Sequence, residues 1–213
     1  MNFKICAALI INVIVVLLTI NAFLMFRHNQ ETIHPGKSRF HFYIYFTSDS
    51  NILNALCSVI LIPYLVMNLT GAVQSVPMWA YAIHFIGACA VMVTCMTVIL
   101  FLGPIAGYRL MYTGSDLYLH LICPLLALVS CCFLAPLPTA AAVLPFYLTF
   151  LGIIPTVVYG AVYMVMVLLL GPKKGGWEDF YTFNRGGKWY ISALLMVAGS
   201  YLISLGMYFL CRI

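Results

Sequence analysis

The chain alternates between long apolar runs and short polar segments. A run of about twenty apolar residues crosses the roughly 30 Å hydrocarbon core of a bilayer when it is helical. The pattern therefore predicts an all-α polytopic membrane protein, with one transmembrane domain over residues 1–213 built as a bundle of six helices. The predicted helices cover residues 5–26, 40–69, 78–102, 117–135, 140–170 and 189–210.

Two uncharged stretches are too long for a single helix, and residues that break helices divide them. Gly71 and Pro77 separate the second helix from the third, and the Pro-Leu-Pro segment 136–138 separates the fourth from the fifth. We expect Pro145 and Pro155 to kink the fifth helix, which membrane helices tolerate.

Composition strengthens the membrane assignment. Hydrophobic residues make up 64% of the chain and charged residues 7%, whereas a soluble domain carries roughly 25% charged residues. The net charge of +5 does not indicate a nucleic-acid partner, because the basic residues lie in short loops. The eight cysteines form no CxxC motif and no Cys/His cluster at metal spacing, so we interpret them as packing residues and expect neither a metal nor a cofactor.

The basic residues also predict an orientation. Eight of the ten Lys and Arg residues follow the first, third and fifth helices, and only Lys4 and Arg212 lie on the other side. Because cytoplasmic loops carry an excess of Lys and Arg, we expect the odd-numbered loops in the cytoplasm and both termini outside.

Polar residues inside a membrane are costly, so their pattern indicates where function is located. The second helix carries a set of them at steps of three and four, which places them on one helical face. The set is Tyr43, Thr47, Ser50, Asn51, Asn54 and Ser58. Two interpretations are open, namely hydrogen bonds between helices or a water-accessible pocket.

The fourth helix begins with Asp116 and His120, one turn apart on the same face. A carboxylate at that position could hold the imidazole in one tautomer and stabilise its charged form. Alternatively, Asp116 could cap the helix N-terminus, and the two roles are compatible.

Thr47 and His120 should approach each other. Both lie one or two turns into helices that start from the same side of the membrane, so they share a depth. The polar fifth loop, which contains Tyr181 and Asn184, should cover that side. A hydroxyl, an imidazole, amide donors and a covering loop are the parts of an acyl-transfer site. His84 is expected far from His120, which argues against a haem held between two helices.

Two motifs carry a family resemblance. Residues 46–51 read FTSDSN and resemble an F-T-x-x-S-N segment, and residues 120–125 read HLICPL and resemble H-x-x-x-P-L. Both segments are typical of small integral-membrane proteins related to the androgen-induced proteins of animals. Those are six-helix membrane hydrolases that cleave fatty acid esters of hydroxy fatty acids with a threonine nucleophile and a histidine. The resemblance covers most of the chain in helix number and spacing, but only these two motifs are sharp.

The resemblance implies that Thr47 is the nucleophile and His120 the histidine of an integral-membrane lipid-ester hydrolase. It transfers no role to Ser50 or Asn51, although the Asn51 amide is placed to help bind an oxyanion. We expect the substrate to enter from the bilayer. Residues expected to bind substrate or support the site are Tyr43, Ser50, Asn51, Asn54, Asp116, Tyr181 and Asn184.

The alternative is a non-catalytic carrier or lipid-binding protein with a polar pocket between the second and fourth helices. Carriers often contain internal repeats and helices broken at mid-membrane. The sequence shows no clear repeat, and its kinking prolines are confined mainly to the fifth helix.

Overall fold

A computed structural model describes residues 2–33, 41–135 and 144–212. In these segments the protein is helical and contains no strand, and six helices are long and apolar enough to cross a membrane. The protein is therefore an all-α multi-pass membrane protein. The six helices are α1 (Asn2–Ile33), α2 (Phe46–Leu69), α3 (Met78–Ala106), α4 (Ser115–Leu134), α5 (Leu148–Leu170) and α6 (Trp189–Leu210).

The first two helices differ from the predicted bounds at the end that carries the candidate site. Helix α1 continues to Ile33, so Arg27 is helical rather than part of a loop. Helix α2 begins at Phe46 instead of residue 40, because Tyr45 adopts an extended conformation (φ −99°, ψ 132°) after a 3₁₀ turn over His41–Ile44. The rest of the predicted polar loop, residues 34–39, and the predicted first residue of the second helix, Phe40, lie outside the described residues.

The fifth helix is interrupted where a proline predicts it. Its first piece, Leu148–Leu151, is separated from Ile154–Met164 by a short turn, and Pro155 occupies the first turn of the second piece. Proline suits that position because its missing N–H would have no partner there in any case. Pro145 instead precedes the described start of the helix, so it does not kink it. The predicted start at residue 140 lies outside the described residues.

Helices α1 to α4 form a four-helix bundle in which each contacts its two neighbours, in the order α1, α2, α3, α4 and back to α1. Helices α5 and α6 pack on each other and on the outer side of α3. Large apolar side chains such as Leu17, Leu100 and Leu194 point outward and are exposed. Lipid is the solvent that accommodates such a surface.

Close approach of α2 and α3 depends on a glycine. A Cβ built on Gly87 would lie 3.0 Å from Cys57 Sγ and 3.1 Å from Asn54 Cα. Farther along α2, Leu61 and Leu65 pack with Ala8 of α1 and Ala80 of α3 in a fully buried apolar cluster. We call these four residues the apolar layer.

Candidate functional site

The structure brings Thr47 and His120 together at one end of the bundle. Thr47 Oγ1 lies 3.4 Å from His120 Nε2, across the interface between α2 and α4. The imidazole is 7% exposed and the threonine is half-buried. The distance slightly exceeds the usual hydrogen-bond range, as is common for catalytic pairs without substrate.

A main-chain oxygen sets the orientation of the imidazole. His120 Nδ1 lies 2.8 Å from the carbonyl oxygen of Met111, which belongs to the segment between α3 and α4. A carbonyl oxygen can only accept, so Nδ1 carries the hydrogen and the neutral ring presents its lone pair at Nε2. The Thr47 hydroxyl is therefore the donor in the pair, which is the polarity that general-base activation requires.

Asp116 does not cap α4, and it does not fix the tautomer of His120 through a hydrogen bond. Gly114 occupies the N-cap position of α4, and Asp116 lies inside the first turn. The next turn, Tyr118–Ile122, is a π-helical turn. His120 lies within this turn. Among the described residues the Asp116 side chain makes no hydrogen bond, and His120 lies near enough for a charge interaction with the Asp116 carboxyl.

Ser50 and Asn51 hold helices in place around Thr47. Ser50 Oγ lies 2.9 Å from Thr94 Oγ1 of α3. The Asn51 amide nitrogen donates to the carbonyl oxygens of Thr47 (2.8 Å) and Leu119 (3.1 Å), which joins α2 to α4. Both amide hydrogens are thereby used. The expectation that the Asn51 amide binds an oxyanion is therefore wrong for this arrangement.

The main-chain N–H of Thr47 is a better placed donor. The neighbouring main-chain N–H groups already have acceptors. The N–H of Phe46 donates to the Tyr181 hydroxyl at 3.2 Å. The N–H groups of Ser48 and Asp49 both donate to the carbonyl oxygen of Tyr45. Thr47 lies in the first turn of α2, where main-chain N–H groups have no acceptor within the helix. Unpaired N–H groups in the first helical turn carry the positive end of the helix dipole.

The fifth loop folds over the start of α2, and Asp179 organises it. The Asp179 carboxylate accepts hydrogen bonds from the Tyr163 hydroxyl (3.0 Å) and from the main-chain N–H groups of Phe183 (2.7 Å) and Asn184 (2.8 Å). Asn184 takes part through its main chain, while its side-chain oxygen has no partner among the described residues. Burial raises the pKa of Tyr181 to about 12. The Tyr181 hydroxyl oxygen accepts the hydrogen bond from Phe46 N–H and so ties the loop to the start of α2.

Tyr43 lies away from this pair. It is in the 3₁₀ turn before α2, not on the helix face of Thr47, and its side chain is 44% exposed. It lines a mostly apolar groove of about 520 Å³ between α1 and α2, with Arg27 and Tyr43 among the polar lining residues. Neither Thr47 nor His120 lines this groove.

Asn54 lies on the predicted face of α2 but about two turns deeper than Thr47. It is fully buried, and neither atom of its amide has a partner among the described residues. His84 is also remote from His120, since its contact is with Ser130, ten residues farther along α4.

Two members of the site were missed from the sequence. The Met111 oxygen that orients His120 is a main-chain atom, so the identity of the residue gives no indication of its role. Thr94 is a polar residue in an apolar run, so the cost of burying its hydroxyl in a membrane was a usable signal.

No protein-family model, curated protein or solved structure matches the chain. The likeness of residues 46–51 and 120–125 to membrane hydrolases therefore remains a resemblance of two motifs. The arrangement of Thr47, His120 and Met111 carries the functional argument independently of it.

Proposed function

We propose that the protein is an integral-membrane hydrolase of lipid esters, with Thr47 as the nucleophile and His120 as the general base. The observation that carries the proposal is the chain of contacts from the Met111 oxygen through His120 to the Thr47 hydroxyl. Serine and threonine nucleophiles are activated by an imidazole that contacts the hydroxyl with one ring nitrogen and has its tautomer fixed by a hydrogen bond at the other.

In the first step His120 Nε2 accepts the Thr47 proton as Thr47 Oγ1 bonds to the ester carbonyl carbon. The carbonyl oxygen becomes an oxyanion, which the Thr47 N–H in the first turn of α2 would stabilise. The bond from the carbon to the alkoxy oxygen then breaks. The imidazolium returns its proton to the leaving alcohol, and an acyl-Thr47 ester remains.

In the second step a water molecule attacks the acyl carbon and transfers a proton to His120. The bond between the carbon and Thr47 Oγ1 breaks, Thr47 recovers its proton from the imidazolium, and the carboxylic acid leaves. Each step returns the site to the neutral imidazole, so no cofactor is required.

The substrate class follows from the surroundings of the pair. Helices α1 to α6 expose apolar side chains to lipid, so an ester reaches Thr47 most directly from within the bilayer. Fatty acid esters of hydroxy fatty acids are the substrates that the motif resemblance suggests. The Lys and Arg distribution suggests that this end faces the cytoplasm. A reporter fused after Arg212 would then be found outside.

The carrier alternative has less support. The polar face of α2 ends at the apolar layer, in which Leu61 and Leu65 are fully buried. A carrier needs polar groups that become accessible from both sides in turn, and the described residues offer such groups toward the Thr47 end.

The test is covalent labelling of the purified protein in detergent with a fluorophosphonate probe, followed by mass spectrometry of the labelled peptide. We expect the adduct on Thr47. Thr47→Ala and His120→Ala should lower labelling at least about a hundredfold, since positioned proton transfer contributes 10²–10⁴-fold. Thr47→Ser should remain labelled, because it keeps the hydroxyl and loses only the crowding methyl group.

Ser200→Ala is the matched control, because this buried hydroxyl lies in α6 and donates only within its own helix. It should label like the wild type. A folded wild-type protein that does not label, or an adduct on a residue other than Thr47, would contradict the proposal. Transport of a solute into vesicles without ester turnover would favour the carrier.

A further inference from the structure

A second group of polar residues lies deeper in the bundle than Thr47 and His120. We call it the deep polar cluster, and its members come from all four helices of the bundle. Each of them is fully buried at 0% exposure. They are Asn12 of α1, Asn54 and Ser58 of α2, His84 of α3 and Ser130 of α4.

Ser130 links three of the four helices. Asn12 Nδ2 donates to Ser130 Oγ at 2.7 Å and to the carbonyl oxygen of Ala8 at 2.8 Å. His84 Nε2 lies 3.0 Å from the same serine oxygen. These bonds fix Asn12, His84 and Ser130 at one depth.

The register of α2 against α3 brings the remaining two members to that depth. The two helices run antiparallel, with Ser50 beside Thr94 and Asn54 beside Gly87. His84 lies ten residues before Thr94 on α3. The same distance along α2 from Ser50 reaches the turn that contains Ser58.

The cluster leaves five polar side-chain atoms without a partner among the described residues. They are Asn12 Oδ1, Asn54 Oδ1, Asn54 Nδ2, Ser58 Oγ and His84 Nδ1. Buried polar groups are almost always hydrogen-bonded, because an unpaired one forfeits its interaction with water. Hydrogen bonds and helix register bring the residues that carry these five atoms to neighbouring depths in the bundle, which points to a ligand that they share.

The chemistry of the five atoms identifies that ligand. The set mixes acceptors, such as the two amide oxygens, with the donors of Asn54 Nδ2 and Ser58 Oγ, and none of the five residues carries a carboxylate. A metal cation would find no negative charge, and an anion would meet the amide oxygens. Water both donates and accepts, and buried waters typically make about three hydrogen bonds to groups of this kind.

We propose that the deep polar cluster binds a file of water molecules that continues along α2 to Thr47 and supplies the water for hydrolysis of the acyl-Thr47 ester. Asn51 lies between Asn54 and Thr47 along α2, and its Oδ1 is fully buried and has no partner among the described residues. The file ends at the apolar layer. This supply role rests on the proposed function, whereas the presence of water does not.

An internal supply answers a difficulty of the reaction. An acyl-Thr47 ester whose chain extends into lipid cannot draw water from the bilayer core. A file that reaches Thr47 from the bundle interior, on the side of Asn51, delivers water without passing the bound chain.

The first experiment compares thermal unfolding midpoints of the full-length protein in detergent. Asn54→Leu and Ser58→Ala each remove polar atoms with little change of shape. If water binds there, each variant breaks satisfied hydrogen bonds and its midpoint falls, by about 2–4 °C. If the cluster is dry, each variant removes an unpaired group and its midpoint stays or rises, which overturns the proposal. Ser50→Ala, whose hydroxyl contacts Thr94, calibrates the loss of a direct bond.

The second experiment separates acylation from deacylation with a chromogenic ester. Asn54→Leu should lower the deacylation rate at least about tenfold more than the acylation rate, so that the acyl-enzyme accumulates. Equal effects on both rates, with a lowered midpoint, would overturn the supply role alone. If the wild type shows neither labelling nor ester turnover, the proposed function fails, and the unfolding midpoints still decide whether water is bound.

Discussion

His120 takes its orientation from Met111, a residue nine positions earlier in the chain, through a 2.8 Å hydrogen bond to its main-chain oxygen. In serine hydrolases of the triad type a carboxylate occupies this position. A main-chain oxygen fixes the tautomer equally well, but it supplies no full negative charge to the imidazolium. The segment between α3 and α4 is thus part of the site through its backbone.

The tautomer of His120 can be observed directly. We expect a neutral ring with hydrogen on Nδ1 and a lone pair on Nε2, because the Met111 oxygen can only accept. Nitrogen-15 NMR of histidine-labelled protein distinguishes the two tautomers, and His120→Gln identifies the signal. A neutral ring with hydrogen on Nε2 would mean that Thr47 is not the donor of the pair.

Asp116→Asn should change ester turnover by less than about tenfold. Removing the carboxylate that orients a catalytic histidine costs about 10⁴-fold in serine proteases, and here the Met111 oxygen performs that task. Turnover is measured on the same lipid-ester substrate as the wild type. A loss of turnover as large as that of His120→Ala would show that Asp116, rather than Met111, orients the imidazole.

Asp179→Asn should loosen the fifth loop. The Asp179 carboxylate accepts three hydrogen bonds, and hydrogen bonds to charged groups contribute about 1.5–3 kcal/mol each. The variant should become sensitive to trypsin at Arg185 and Lys188, and ester turnover should fall as cover over α2 is lost. Glu178→Gln, an exposed neighbour, is the matched control and should resist trypsin as the wild type does. Unchanged resistance of the Asp179 variant would show that other contacts hold the loop.

Gly87→Ala should destabilise the bundle by about 1–3 kcal/mol, the usual cost of overpacking a core. The added Cβ would lie 3.0 Å from Cys57 Sγ and 3.1 Å from the backbone at Asn54. Gly206→Ala in α6 is the control, because nothing lies within 4 Å of a Cβ at that position. It should leave stability unchanged or raise it by up to about 1 kcal/mol, since alanine has fewer unfolded conformations. Equal midpoints for the two variants would argue against close packing at Gly87.

Much of the fold follows from the sequence because run length and apolar composition decide it. The sixth helix was predicted at residues 189–210 and is observed as Trp189–Leu210. The start of α2 was placed six residues too early, since residues 40–45 are as apolar and aromatic as the helix that follows. The 3₁₀ turn over His41–Ile44 and the extended backbone at Tyr45 separate the start of this segment from the helix.

The contact between Thr47 and His120 was predictable, because both residues lie near helix starts on the same side of the membrane. The π-turn over Tyr118–Ile122 was not, since the spacing along the sequence assumed a regular α-helix there. A local change in helical pitch depends on packing against neighbouring helices, and spacing along the sequence does not reveal it.

The apolar layer of Ala8, Leu61, Leu65 and Ala80 has an electrical consequence. Polar groups on the Thr47 side of such a layer share the electrical potential of the compartment to which they open. Most of the transmembrane voltage then falls across the layer itself. Protons that Thr47 and His120 exchange during turnover would therefore come from and return to one compartment. The carboxylic acid product would release its proton to that same compartment, so catalysis at this depth would move no proton from one side of the membrane to the other.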